Sequence, residues 1–209
     1  MTIKLRDCSP KRGAGLGATL ADQHMAAVYK AVANGSIAPG TLVILDFAKF
    51  DAVNGSYIKG TALWLLTCGQ LSASNLKQAI APRHAADPRP YDLFVCVTGL
   101  SPEVELEFQE FLEPRGLPLL CARIVKGDLV KEAVLVGHLD SALRFTVEAL
   151  TKHGYCTAPQ LHKMFPKENI TVTAWNNRLN DLHALRLVRR SRAGRGWEYK
   201  PLTEKIVWE

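Results

Sequence analysis

No stretch of this chain approaches the roughly 18 consecutive apolar residues that a bilayer-spanning helix requires. The opening MTIKLRDCSPKRG also has no apolar core of the kind a secretory signal carries. The protein is therefore expected in the cytoplasm, with no membrane partner. Cysteine is scarce and scattered: Cys8, Cys68, Cys96, Cys121 and Cys156 show no CxxC spacing and have no histidine nearby at zinc-ligand spacing. Reduced thiols are expected, with Cys96 and Cys121 as small core residues inside apolar runs. The histidines, His24, His84, His138, His153, His162 and His183, never pair with an acid or cysteine at metal spacing, so no metal is expected. Arg12-Gly13-Ala14-Gly15-Leu16-Gly17 is glycine-rich but lacks both GxGxxG spacing and the Lys-Ser/Thr pair of a P-loop. Asp46, Asp51 and Asp92 lie near strand ends, where open α/β sheets often place catalytic carboxylates, but without a matching histidine they read as caps and ion-pair partners. No catalytic set and no cofactor are expected, and a hydrolase or transferase within the α/β layer is only the minor alternative.

Positive charge is present, and it is unevenly placed. The formal net charge is +6, yet residues 1–137 hold 14 Lys+Arg against 13 Asp+Glu, whereas residues 138–209 hold 12 against 7. A basic excess confined to one short segment points to a polyanionic partner.

The chain changes pattern near Gly137. Before it, short apolar runs at Thr41 to Phe47, Tyr91 to Gly99 and Leu117 to Val125 are bounded by Gly or Pro and read as buried strands, with further strands possible at Ile3 to Arg6 and Ala133 to Val136. Helices are predicted over Ala18 to Ala33, Ser56 to about Gln70, Ser72 to Ile80 and Pro102 to Leu112. The last opens with Ser101 as N-cap and Pro102 in the first turn. Ala81 to Pro90 reads as a loop. Strands separated by helices imply an α/β layer, here residues 1 to 136.

From 137 to 209 a second, small α+β domain is predicted. His138 to His153 has helical spacing and ends at Gly154; a second helix begins at Thr157 with Pro159 in its first turn and stops at Pro166. A third helix, Ala174 to Leu185, can be capped by Thr171 or Thr173, and Leu187 to Ser191 and Trp197 to Lys200 form a hairpin around Ala193-Gly194-Arg195-Gly196. Three helices and a basic hairpin predict a winged helix whose third helix enters the major groove of double-stranded DNA. Thr173, Asn176, Asn177 and Arg178 are the candidate base readers, because Asn pairs bidentately with adenine and Arg with guanine. Trp175 lies beside the apolar stripe and can pack on the second helix or face DNA. Arg189, Arg190, Arg192 and Arg195 on the hairpin are the candidate phosphate or minor-groove ligands.

His153-Gly154 with Thr157-Ala158, the run Thr173 to Leu179, Leu185 to Arg190 and the closing Arg195-Gly196-Trp197-Glu198-Tyr199 resemble bacterial winged helix-turn-helix regulators. In the first part, Leu45-Asp46-Phe47 followed by Ser56-Tyr57 resembles the STAS-like family, distant relatives of the anti-anti-sigma factors. That resemblance implies a signal-sensing or docking domain and, as a partner, a histidine-kinase-like ATPase. In the anti-anti-sigma branch an Asp-Ser-Ser signature carries the phosphorylated serine; here Asn54-Gly55-Ser56 stands in its place. Ser56 is then a candidate for phosphorylation at a helix start or for simple N-capping. A DNA-binding transcriptional regulator acting as a homodimer is expected. The alternative is a DNA-binding adaptor of a multiprotein anti-phage defence system that recruits an ATPase or effector.

Overall fold

The computed structural model describes residues 2–4, 13–15, 17–33, 36–38, 40–68, 93–127 and 129–208. In chain order the elements are β1 (Thr2–Lys4), β2 (Gly13–Gly15), α1 (Ala18–Ala33), β3 (Leu42–Asp46), β4 (Phe50–Val53), α2 (Gly55–Ile58), a π-helical segment (Lys59–Leu63) and α3 (Trp64–Cys68). They continue with β5 (Phe94–Thr98), α4 (Pro102–Leu112), β6 (Pro118–Lys126), β7 (Leu129–Gly137), α5 (Ser141–His153), α6 (Ala158–Met164), α7 (Val172–Ala184), β8 (Val188–Ala193), β9 (Gly196–Pro201) and β10 (Thr203–Val207).

The expected α/β layer is a six-stranded sheet in the order β1-β3-β5-β6-β7-β10. Neighbours from β1 to β6 run parallel, β6 and β7 form an antiparallel hairpin, and β10 lies parallel to β7 at the edge. Side chains alternate across a strand, and in the central strands both sets are apolar. Val43, Leu45, Val95, Val97, Leu119 and Cys121 face one core together with α1, the α2–α3 helical run and α4. Leu42, Ile44, Phe94, Cys96, Leu120 and Ala122 face the other, where Leu143, Val147, Leu150, Leu179 and Leu182 of α5 and α7 pack. Strands buried on both faces read as unbroken apolar runs for this reason. The change of sequence pattern at Gly137 is thus crossed by a shared core. Gly137 itself has φ +89, and a Cβ there would lie 2.1 Å from the Leu117 carbonyl oxygen, so no other residue fits the junction.

Local sequence explains most boundaries. Ser101 caps α4, its Oγ accepting from the Val104 N–H at 3.3 Å. The helix expected from Ser56 begins one residue earlier and is wound through a π segment, in which the Thr61 hydroxyl donates to the Tyr57 carbonyl at 2.8 Å. Gly60 in that segment sits so close to α1 that a Cβ would be 2.6 Å from the Ala21 Cβ. β1 covers the first half of the strand expected at Ile3 to Arg6, whose Leu5 and Arg6 lie outside the described residues, and the strand expected at Ala133 to Val136 is part of the longer β7. The helix expected over Ser72 to Ile80 and the loop over Ala81 to Pro90 lie outside the described residues. Among the described residues no helix is long and apolar enough to cross a membrane.

Candidate nucleic-acid interface

The segment after β7 builds three helices in succession, each opened by a side-chain cap. Asp140 accepts from the Leu143 N–H at 2.9 Å to open α5. Thr157 and Gln160 form a reciprocal capping box at α6. Thr171, not Thr173, caps α7, its Oγ1 accepting from the Ala174 N–H at 3.2 Å. Between α5 and α6 the chain is tied to the hairpin: Cys156 and Tyr199 exchange both backbone hydrogen bonds, at 3.0 and 2.9 Å. The order is therefore helix, single bridge residue, helix, helix, two-stranded hairpin.

On α7 the apolar positions Trp175, Leu179 and Leu182 are buried. Trp175 is wholly buried, its ring 5.9 Å from Phe145 and 5.8 Å from Phe165, so of its two sequence readings the packing one holds. Thr173, Asn176 and Asn177 are exposed on the opposite side of the helix. With no acidic residue in the first turn and Thr173 uncommitted to capping, the N-terminal half of α7 presents a positive helix end and small polar side chains. Asp181, also exposed, marks the other half as unfavourable to a polyanion. Arg178 does not join the exposed group. It is half-buried at the margin of the face, with its guanidinium 5.8 Å from the Trp175 ring centroid.

Pairing across the hairpin sorts the four arginines. Arg190 opposes Tyr199 and Arg192 opposes Trp197, which sets Arg190, Arg192, Trp197 and Tyr199 on one side of the ribbon. Both guanidiniums lie over the Trp197 ring, at 4.4 and 4.1 Å from its centroid. Arg195 is exposed at the turn. None of Arg190, Arg192 and Arg195 is ion-paired to a carboxylate among the described residues. Arg189 departs from the expectation. It belongs to the opposite phase of the pleat, is half-buried, and directs its guanidinium over Phe94 of the sheet at 5.6 Å. Arg186 does the same from the turn before β8, at 5.5 Å, and His183 sits 5.9 Å from that ring. These three residues join α7 and the hairpin to the sheet and face away from the exposed side.

Asn180 connects helix to hairpin. Its Oδ1 accepts from the Tyr199 hydroxyl at 2.7 Å and from Arg190 Nη1 at 3.3 Å. Burial pushes the Tyr199 phenol above its usual range, partly offset by the Arg190 charge, so at neutral pH the hydroxyl keeps the proton it donates. Asn180 is not among the candidate readers that the sequence offers. The available signal was its position one turn beyond Asn176 and Asn177, but which hairpin side chain meets it depends on strand register.

Ser56 lies far from this surface in the chain and is exposed in the first turn of α2. It is not the N-cap. Asn54 is, with Oδ1 accepting from the Tyr57 N–H at 3.0 Å and from the Gly17 N–H at 3.1 Å. Asn54 thereby ties Gly17 to the helix start, and among the described residues the Ser56 hydroxyl makes no hydrogen bond. Among the described residues no cluster of His, Cys, Asp or Glu suits a metal ion.

Comparison with protein-family models, with curated proteins and with solved structures finds no match to this chain.

Proposed function

We propose that residues 139–202 form a winged helix-turn-helix that binds double-stranded DNA, and that the protein is a transcriptional regulator whose STAS-like sheet region senses a signal or docks a partner. One observation carries the reading: the exposed Thr173, Asn176 and Asn177 of α7 lie on a helix directly hydrogen-bonded to a hairpin whose Arg190, Arg192 and Arg195 have no carboxylate ion pair among the described residues. Asparagine carries both a donor and an acceptor and can match an adenine edge, while arginine beside it neutralises phosphate. Helix and hairpin together cover a groove and its flank.

One such module buries little DNA surface, so a homodimer reading paired half-sites belongs to the proposal. The test is selection of bound fragments from a random duplex pool by the full chain, followed by affinities for the winning duplex, a scrambled duplex and each single strand. The winning duplex is expected to bind at least 100-fold more tightly than its separate strands. Equal affinity for duplex and single strand would overturn the reading. Duplex binding with no sequence preference would favour the defence-adaptor alternative, in which the sheet region recruits an ATPase or effector.

A further inference from the structure

We infer that Asn180 is a positioning residue that fixes the arginine-bearing hairpin against α7, and that toward a bound duplex its amide offers a donor only. The inference rests on the DNA-binding reading for its consequence but on the free protein for its geometry. Arginine has no acceptor, so the amide atom facing Arg190 must be the oxygen, which also fixes the Tyr199 hydroxyl as the donor in the 2.7 Å contact. Tyr199 is wholly buried and doubly bonded through its backbone to Cys156. The hydroxyl therefore stands on a rigid base that belongs to the hairpin and to the α5–α6 connection at once. Arg190, the second donor, lies over Trp197 and opposes Tyr199 across the ribbon. Asn180 is itself only half-buried. One oxygen thus links helix, return strand and outgoing strand.

Two consequences follow from the donor inventory. Asn176 and Asn177, exposed, keep both halves of their amides and can form the donor-plus-acceptor pair that adenine requires. Asn180, with its oxygen engaged twice, has only N–H left and can address a phosphate oxygen, a guanine O6 or N7, or a thymine O4. The distance between the exposed asparagines and the Arg192 and Arg195 guanidiniums is then set by the Asn180–Tyr199 bond. Loosening that bond blurs which phosphates the hairpin meets when α7 is seated.

Tyr199→Phe removes the donor without altering any exposed atom. The full chain, wild type and variant, is examined by amide relaxation of residues 188–201 without DNA, and by affinity for the selected and scrambled duplexes. Tyr199→Phe is expected to raise hairpin mobility selectively, with the amides of β3 and β5 unchanged. It should lower the preference for the selected duplex about five- to tenfold, the effect of one lost hydrogen bond, while affinity for scrambled duplex stays within about twofold. Asn180→Ala removes that bond together with the Arg190 contact and the amide N–H, so it should lose at least as much, and the double variant should be no worse than Asn180→Ala alone within about twofold, since the Tyr199 hydroxyl then has no bond left to lose. A rigid hairpin in Tyr199→Phe, or an additive double variant, overturns the inference while leaving the DNA-binding reading standing. A wild-type protein with no duplex preference overturns that reading and the donor-only assignment with it. Equal loss on both duplexes in Tyr199→Phe would show a merely structural tyrosine and also overturns the inference.

Discussion

His24 carries its imidazole into an aromatic cluster, with Nδ1 2.7 Å from the Tyr57 oxygen and the ring 6.0 Å from Phe50. Its Nε2 is buried and has no hydrogen-bond partner among the described residues. A proton added there would create a desolvated cation, and burial holds the group below its ordinary value of 6.5. Above pH 6.5 neither folded nor unfolded chain binds that proton. As pH falls below it the unfolded chain gains a proton that the folded one resists, so stability is lost on acidification toward the folded-state value. Urea midpoints at pH 7.5 and 5.5 are expected to show this loss, and His24→Gln, which keeps a hydrogen-bonding group for Tyr57 but cannot titrate, should reduce it. An unchanged pH dependence in the variant would assign the loss to other groups. The same scale shows what a sequence conceals. Arg189 and Arg190 are chain neighbours with identical side chains, yet one reaches Phe94 of the sheet and the other lies over Trp197 on the opposite side of the ribbon. Only the phase of the pleat separates them, and that phase is set by which residue pairs across the strand. Helical phase is set within the helix itself, so the apolar spacing of Leu179, Leu182 and Leu185 leaves Asn176 and Asn177 outside the buried stripe, while Arg178, chosen with them for its chemistry, is half-buried at its margin.

Helix α7 and the β8–β9 hairpin would contribute to DNA binding through different physics, and salt separates them. Replacing Arg192 and Arg195 with Ala removes two charges that, on the proposed reading, neutralise phosphate. It is expected to lower affinity for all duplexes by a similar factor and to flatten the log-log salt dependence by roughly two units. Replacing Asn177 with Ala should cost about 1 to 3 kcal/mol on the selected duplex, little on scrambled DNA, and leave the slope unchanged. A salt titration of both variants checks the division, and an unchanged slope in the arginine variant would reduce the hairpin to a solubilising element. Elements were legible in proportion to how much of their signal is local. Ser101-Pro102, Thr157 with Gln160, and Gly154 mark helix ends through bonds made within a few residues. β10 carries no such mark: Thr203-Glu204-Lys205-Ile206-Val207 is short and mixed, and it is a strand because β7 offers it an edge. Its charges pair there, Lys205 Nζ with Glu132 at 2.8 Å and Lys131 with Glu204. The π segment likewise depends on the close approach of Ala21 to Gly60.

The apolar runs LVIL, FVCV and LLCA, read from the sequence as buried strands, belong to a sheet covered on both faces. One face is covered by helices on either side of β3 and β5 in the chain; the other is covered by α5 and α7, which follow every strand of the sheet except β10. Reading the chain in order therefore puts a boundary near Gly137 where the folded molecule has a shared core. The hairpin is joined to the same layer covalently, since β9 passes into β10 with only Leu202 between them. Trp208, just past β10, lies under the Arg144 guanidinium of α5 at 4.1 Å. Splitting the chain at 136/137 leaves residues 1–136 with Leu42, Ile44, Phe94, Cys96, Leu120 and Ala122 facing water and removes the β10 partner of β7. Burying each large side chain of that set is worth roughly 1.5–3 kcal/mol, and even a few of them amount to a large share of the 5–15 kcal/mol that typically holds a domain together. The fragment is accordingly expected to bind a hydrophobic dye and to lose its near-ultraviolet circular dichroism while keeping much of its secondary structure. Residues 137–209 retain Leu143, Val147, Leu150, Leu161, Trp175 and Tyr199 for a core of their own, so the losses are unequal. Mixing the two fragments should suppress dye binding and restore the near-ultraviolet signal, because the missing face is returned. Two fragments that each show native spectra alone, with no change on mixing, would mean that the shared face contributes little and that the sheet and the helical segment fold as independent units.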